Sequence, residues 1–228
     1  MAQVVLITGA SGNLGRAVAA AFAQQGAALA LLGHAAPAAG APGAAAPLQV
    51  AADLRDASQV QAAVAAVVQR LGRIDVLCNL AGGFRMGEAV HETTDATWDF
   101  LLDLNARSIV HTARAVVPHM LAAGQGCVVN VGAAGAARGG ATMGAYAASK
   151  SAVARLTESM AAELREQGIR VNCVLPSTID TPENRAAMPQ ADPARWVAPA
   201  DLANVIVFLA SDAARAVHGA SIPVSGLS

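Results

Sequence analysis

The amino-acid sequence predicts an α/β fold, a doubly wound parallel sheet with helices on both faces, formed by residues 1–228 as a single domain. Three observations lead there. Short apolar runs of strand length alternate with longer stretches of helical pattern, the order a parallel sheet needs, because each parallel pair requires a crossover. A glycine-rich turn joins the first apolar run to the first helical stretch. The length of 228 residues suits one core, and no linker-like segment divides it.

Taken in order, Val4–Thr8 is a continuous apolar run and reads as a buried strand. Thr8–Gly15, TGASGNLG, turns into a helix of small apolar residues that runs to about Gln25, where Gly26 stops it. Ala28–Leu32 is the second strand. Ala35–Pro47 is low in complexity and broken by proline, and reads mostly as loop. Leu48–Ala51 is the third strand. Asp56 caps a helix that continues through Leu71 to Gly72. Ile74–Leu80 is the fourth strand, followed by a long helix from about Ala96 to Leu121 and a strand at Gly126–Val131. A helix carrying Tyr146 continues to about Gln167, and Ile169–Leu175 is the next strand. Pro199 opens a last helix to about Leu209, and Ala220–Val224 closes the sheet.

Composition narrows the function. The chain is 54% hydrophobic, much of it alanine, yet no apolar run reaches transmembrane length and no charged leader opens it. A net charge of −1 without a dense basic run gives no footing for nucleic acid or a membrane surface. Cys78, Cys127 and Cys173 sit in or beside apolar runs without CxxC spacing, which predicts reduced thiols and a cytoplasmic location. His91, His111, His119 and His218 show no ligand spacing, so no metal is expected.

The candidate chemistry lies in Gly132–Lys150. Tyr146 and Lys150 stand four residues apart, on one face of a helix. An ammonium beside a phenol favours the phenolate and lowers its pKa from roughly 10, so the pair is suited to proton transfer near neutral pH. The glycine turn is suited to a dinucleotide. Its glycines admit the pyrophosphate closely, and the helix N-terminus offers free N–H groups, with Gly9, Ser11, Asn13, Leu14 and Gly15 as candidate contacts. No acid follows the second strand to accept a ribose 2′-hydroxyl. Gly33-His34 stands there, and His34 is a candidate partner for a 2′-phosphate, which places NADP ahead of NAD.

With these residues in view, the sequence resembles the short-chain dehydrogenase/reductase family from about Gln3 to Gly226. The resemblance rests on TGASGNLG, Asp53-Leu54, NLAG at Asn79–Gly82, Asn105, YAASK at Tyr146–Lys150 and PSTIDT at Pro176–Thr181. It implies a Rossmann-like fold binding NAD(H) or NADP(H). It further implies that Asp53 and Leu54 flank the adenine and that Asn79, Ala81 and Gly82 line the cofactor cleft. Pro176, Ile179 and Thr181 would border the nicotinamide, with Ile179 and Thr181 holding its carboxamide. Tyr146 would act on the substrate, Lys150 would also bind the nicotinamide ribose, and Asn105 would hold a relay water. A homodimer or homotetramer is implied, paired through the helices at about Ala96–Leu121 and Met143–Gln167.

Three departures stand out. The second family glycine falls at Asn13 and appears instead at Gly12, a change tolerable because asparagine accepts positive φ better than other side chains. Pro-Gly becomes Pro176-Ser177. The family serine thirteen residues before the tyrosine is Ala133, which removes a donor to the substrate carbonyl. Dihydropteridine reductase, a branch of the family lacking that serine, is similar in AGGFRMG at Ala81–Gly87, GGATMGAYAASK and LPSTIDTPENRAAMPQAD at Leu175–Asp192.

The leading expectation is therefore hydride transfer to a small conjugated C=N or quinonoid substrate such as a quinonoid dihydropterin. The alternatives are a carbonyl reductase or alcohol dehydrogenase in which water or Thr142 replaces the serine, and a non-catalytic dinucleotide sensor. Phe84 and Arg85 line the substrate mouth or form a plain loop, and Trp196 packs a lid at 183–196 onto the body.

Overall fold

The computed structural model describes residues 2–33 and 46–228. His34 and nearly all of the Ala35–Pro47 stretch lie outside the described residues. The strands are β1 (Val4–Thr8), β2 (Ala28–Gly33), β3 (Leu48–Ala51), β4 (Val76–Asn79), β5 (Gly126–Val131), β6 (Ile169–Pro176) and β7 (Ser221–Val224). They form one seven-stranded sheet in the order β3-β2-β1-β4-β5-β6-β7, with every pairing parallel. The connection direction reverses between β1 and β4, whose ends Thr8 and Asn79 lie level. A crevice opens beyond those carboxyl ends, the place where such sheets bind ligands.

The helices are α1 (Asn13–Gln24), α2 (Ala57–Leu71), α3 (Asp95–Leu102), α4 (Ser108–Ala123), α5 (Gly144–Leu164), α6 (Pro182–Ala187) and α7 (Pro199–Ala210). Period-two alternation along β1 sends Val5 and Ile7 to one face and Leu6 to the other. Val5 and Ile7 pack with Val18 and Phe22 of α1 and Leu202, Ile206 and Leu209 of α7. Leu6 packs with Val64 and Val67 of α2, Val116 and Met120 of α4, and Ala161 of α5.

Three segments differ most from the sequence expectation. The fourth strand is shorter, Val76–Asn79, with Leu80 already in the loop. The long helix expected from Ala96 to Leu121 is interrupted: Thr94 caps α3, and Asp103–Arg107 form a π turn before α4. That turn contains Asn105, whose side chain is drawn into contacts described below; wide turns of this kind often sit at functional sites. Residues after β6 form the short helix α6, capped by the Thr181 hydroxyl at 3.2 Å from the Asn184 N–H, with Pro182 in its first turn.

The positive φ of the glycine turn falls on Gly9, at 66°, while Gly12 has φ −71° and Asn13 is the first residue of α1. Asparagine's tolerance of positive φ is therefore not needed at Asn13. Among the described residues, no helix is long and apolar enough to cross a membrane. Cys78, Cys127 and Cys173 are buried free thiols, and burial raises all three pKa values.

Candidate active site

The crevice floor is backbone packed on backbone. A Cβ on Gly9 would lie 2.8 Å from Cα and N of Ala81, and one on Gly15 would collide with the Gly9 carbonyl. The turn therefore closes on itself and on the loop after β4. No side chain caps α1 at Gly12, and its first turn carries no acid, so its N–H groups suit an anionic phosphate. Ser11 accepts at its carbonyl from Arg16 (2.5 Å), which also donates to Asn13 Oδ1 (2.6 Å). Asn13 Nδ2 donates to Glu183 of α6 at 2.8 Å, joining the turn to the segment over the crevice. Leu14 packs against the first core.

The loop after β4 hangs on Thr8, whose hydroxyl accepts from the N–H groups of Leu80 (3.1 Å) and Ala81 (3.2 Å). The spacing of the sequence gives no sign of this role. Asn79 is buried, and its side chain belongs to a polar ladder across the sheet. Thr112 Oγ1 donates to Asn79 Oδ1, Asn79 Nδ2 to Asn130 Oδ1, and Asn130 Nδ2 to Thr157 Oγ1, each at 2.9 Å. The Asn79 amide is thus committed inside the sheet, where it satisfies groups that would otherwise be buried unpaired. Leu54 is likewise buried in the second core, and its carbonyl accepts from His111 Nδ1 at 2.9 Å. The Asp53 carboxylate accepts from Arg55 Nε (3.0 Å) and Nη2 (2.8 Å).

Lys150 and Asn105 converge beside Gly82, and Tyr146 stands one helical turn before Lys150. A Cβ on Gly82 would lie 2.9 Å from Asn105 Oδ1 and 3.0 Å from Lys150 Nζ, so only glycine leaves that space open. Asn105 Oδ1 accepts from the Gly83 N–H (2.8 Å), and its Nδ2 donates to the Gly83 carbonyl (3.0 Å) and to Ser149 Oγ (2.9 Å). This amide is a strut between loop and helix. Ser149 in turn donates to the Tyr146 carbonyl at 2.8 Å. Phe84 meets the Tyr146 ring edge-on, with centroids 4.8 Å apart and planes at 82°.

The electrostatics correct one expectation. Lys150 Nζ is buried and donates to the Val131 carbonyl at 2.9 Å, and burial lowers its pKa to about 8. Tyr146 is raised by burial, with no offsetting pull from Lys150. In the free protein burial disfavours the phenolate, while the Lys150 ammonium one turn on is hydrogen-bonded at the end of β5.

Ala133 is buried and extended, and together with Gly132 it places no hydroxyl at this position. The Thr142 hydroxyl donates to the Ala141 carbonyl at 2.7 Å. Pro176 ends β6. Ile179 bridges to Val197 and its carbonyl accepts from Asn184 at 2.8 Å, while the Thr181 hydroxyl serves as the α6 cap. Both residues shape the cover of the crevice. Trp196 belongs to the same cover, where its carbonyl would lie 3.1 Å from a Cβ on Gly226.

The comparisons with known proteins agree with this architecture. Residues 3–192 match the short chain dehydrogenase family. D-threitol dehydrogenase of Mycolicibacterium smegmatis is 35% identical, covering 98% of this chain and 92% of its own. The crystal structure of carveol dehydrogenase from Mycobacterium avium in complex with NAD is 29% identical, with a TM-score of 0.86 and coverage of 98% and 96%. That of L-sorbose reductase from Gluconobacter frateurii, complexed with NADPH and L-sorbose, is 27% identical, with a TM-score of 0.87 and coverage of 99% and 95%. With a family match over most of its length and the same parallel sheet, the chain belongs to the short chain dehydrogenase family and is an NAD(P)-dependent oxidoreductase.

Proposed function

We propose that the chain reduces a small conjugated acceptor, a C=N or quinonoid system of which a quinonoid dihydropterin is the test case, with Tyr146 as the proton donor. The observation that carries this reading is the bare wall at Ala133, together with the commitment of the Thr142 hydroxyl to Ala141. A ketone builds charge on one oxygen during reduction, and a second donor is worth roughly 10²–10³-fold there. A conjugated acceptor spreads the charge and needs that donor less.

The crevice fits a nicotinamide dinucleotide, since the glycine turn leaves backbone N–H groups uncapped and Gly82 keeps space open beside Lys150. Gly9, Ser11, Asn13, Leu14 and Gly15 would hold the pyrophosphate end. Asp53 and Leu54 would flank the adenine, and Asn79, Ala81 and Gly82 would line the middle through backbone. Pro176, Ile179 and Thr181 would border the nicotinamide, which when bound supplies the hydride. NADP ranks ahead of NAD, because β2 ends on Gly33 without a carboxylate. Tyr146 holds the proton at its phenol oxygen, Lys150 supplies positive charge at neutral pH, and Asn105 fixes the loop that carries Phe84.

A second reading, reduction of a ketone or oxidation of a secondary alcohol, is favoured by the names of the relatives. Ala133→Ser separates the two. The first reading expects turnover of quinonoid dihydropterin to stay level or fall, and ketone turnover to rise less than tenfold. A gain of tenfold or more on ketones alone establishes the second reading.

We also propose a homodimer or homotetramer. Ile109, Val110 and Val117 of α4 and Leu156 and Met160 of α5 line an apolar groove of about 440 Å³ on the outer face. Light scattering at micromolar concentration is expected to give at least twice the 22.8 kDa chain mass, and a clean monomer would contradict this.

A further inference from the structure

A small cavity of about 170 Å³ lies between the loop after Gly83 and the start of α5, lined there by Gly144 and Ala145, the two residues that precede Tyr146. Its walls include Arg85, Glu88, Thr97, Thr142, Met143 and Ala145. It is below the range that holds drug-sized ligands, so it suits a compact substrate or one end of a larger one.

The loop that delivers Arg85 is fixed at each step. Gly83 is hydrogen-bonded to Asn105 at both N–H and carbonyl, Phe84 rests edge-on against Tyr146, and Gly87 N–H donates to the Thr142 carbonyl at 2.9 Å. Thr142 is held at φ 59°, a strained conformation for a β-branched residue and one that persists mostly at functional sites. The Arg85 guanidinium lies 3.8 Å from the Phe100 ring centroid, and Nη1 reaches the Ala96 carbonyl at 3.4 Å. Stacking fixes the plane of the fork and leaves its edge for a ligand.

Beyond the Phe100 face and the Ala96 carbonyl, the charge of Arg85 has no partner among the described residues. Among the described residues, no carboxylate forms an ion pair with it. Glu88, the acid in the same wall, accepts from the Thr94 N–H (3.0 Å) and from Thr97 Oγ1 (2.9 Å), one bond on each oxygen. The cavity thus presents an oriented cation beside a carboxylate whose two oxygens already hold donors, and the first turn of α5 adds N–H groups with no side-chain cap and no acid.

We propose that Arg85 is a specificity determinant which binds a carboxylate on the substrate, placing the reacting bond of that substrate at Tyr146. The proposal rests on the reading of Tyr146 as the proton donor, and it narrows the acceptor to a conjugated or carbonyl compound bearing an acid group. A bidentate guanidinium–carboxylate pair gives orientation as well as affinity. A neutral dihydropterin would leave the guanidinium edge unused.

The test is calorimetric binding of benzoate and of its neutral analogue benzamide to the NADP⁺-saturated protein, in wild type, Arg85→Gln, Arg85→Lys and Tyr146→Phe. Wild type is expected to bind benzoate at least tenfold more tightly than benzamide. Arg85→Gln is expected to erase that preference while leaving NADP⁺ affinity unchanged, Arg85→Lys to keep part of it, and Tyr146→Phe to keep all of it. Equal binding of the two probes, binding of neither, or a preference that survives Arg85→Gln overturns the proposal. Because binding needs no turnover, failure here leaves the role of Tyr146 standing, and loss of that role would show only in turnover.

Discussion

Tyr146→Phe is expected to lower turnover by about 10²–10⁴-fold, the range for removing a positioned acid or base. The phenol is the only ionisable group on the first turns of α5 ahead of Lys150, and Tyr146 is the only tyrosine in the chain, so no second phenol replaces it. The ring itself stays, along with its edge contact to Phe84 and the Ser149 bond to the Tyr146 carbonyl. Packing and crevice should therefore survive. NADP⁺ affinity, measured by fluorescence titration, is expected to remain within a few-fold of wild type. A variant that keeps wild-type turnover removes the proton-donor assignment.

The second large effect lies at the glycine turn. In Gly15→Ala the new Cβ would collide with the Gly9 carbonyl and lie 2.6 Å from Cα of Ala10, and both are backbone that cannot rotate aside. The turn has to open, which misplaces the N–H groups at the start of α1. A fall in stability of about 1–3 kcal/mol is expected from overpacking. Dinucleotide affinity should drop at least a hundredfold, because its binding depends on that backbone. Gly12→Ala is the control. There the Cβ would sit 3.4 Å from the same carbonyl, an ordinary contact, and the melting temperature should stay close to wild type. Thermal melts and cofactor titrations of both variants check this; a Gly15→Ala protein indistinguishable from wild type would contradict the role given to the turn.

The sheet was legible because its central strands β1, β4 and β5 are apolar runs ended by glycine or a polar turn, the mark of parallel strands buried on both faces. Tyr146 and Lys150 were legible because their relation is local, one turn of one helix. What the sequence did not show depends on partners far apart in the chain. The π turn at Asp103–Arg107 accompanies an Asn105 amide that reaches Gly83 and Ser149, 22 and 44 residues away. Asn79 read as a cleft residue, but its amide pairs with Asn130, 51 residues on. The tether of Lys150 to Val131 likewise joins two elements, and burial, which raises the Tyr146 phenol, follows from packing that the sequence does not show. At Arg85 the sequence left the substrate mouth and a plain loop both open, because its stack on Phe100 and the cavity beside it join segments apart in the chain.

The most direct test of Tyr146 as the proton-transfer group is a pH titration of phenolate absorbance, with and without NADP⁺. The single tyrosine makes the signal specific to this site. In the free protein Tyr146 should ionise above its ordinary value of 10.0, as burial requires. Saturation with NADP⁺ should move the transition downwards, because a positively charged nicotinamide beside a buried phenol favours the phenolate. A transition that stays in place when the cofactor binds would contradict the account.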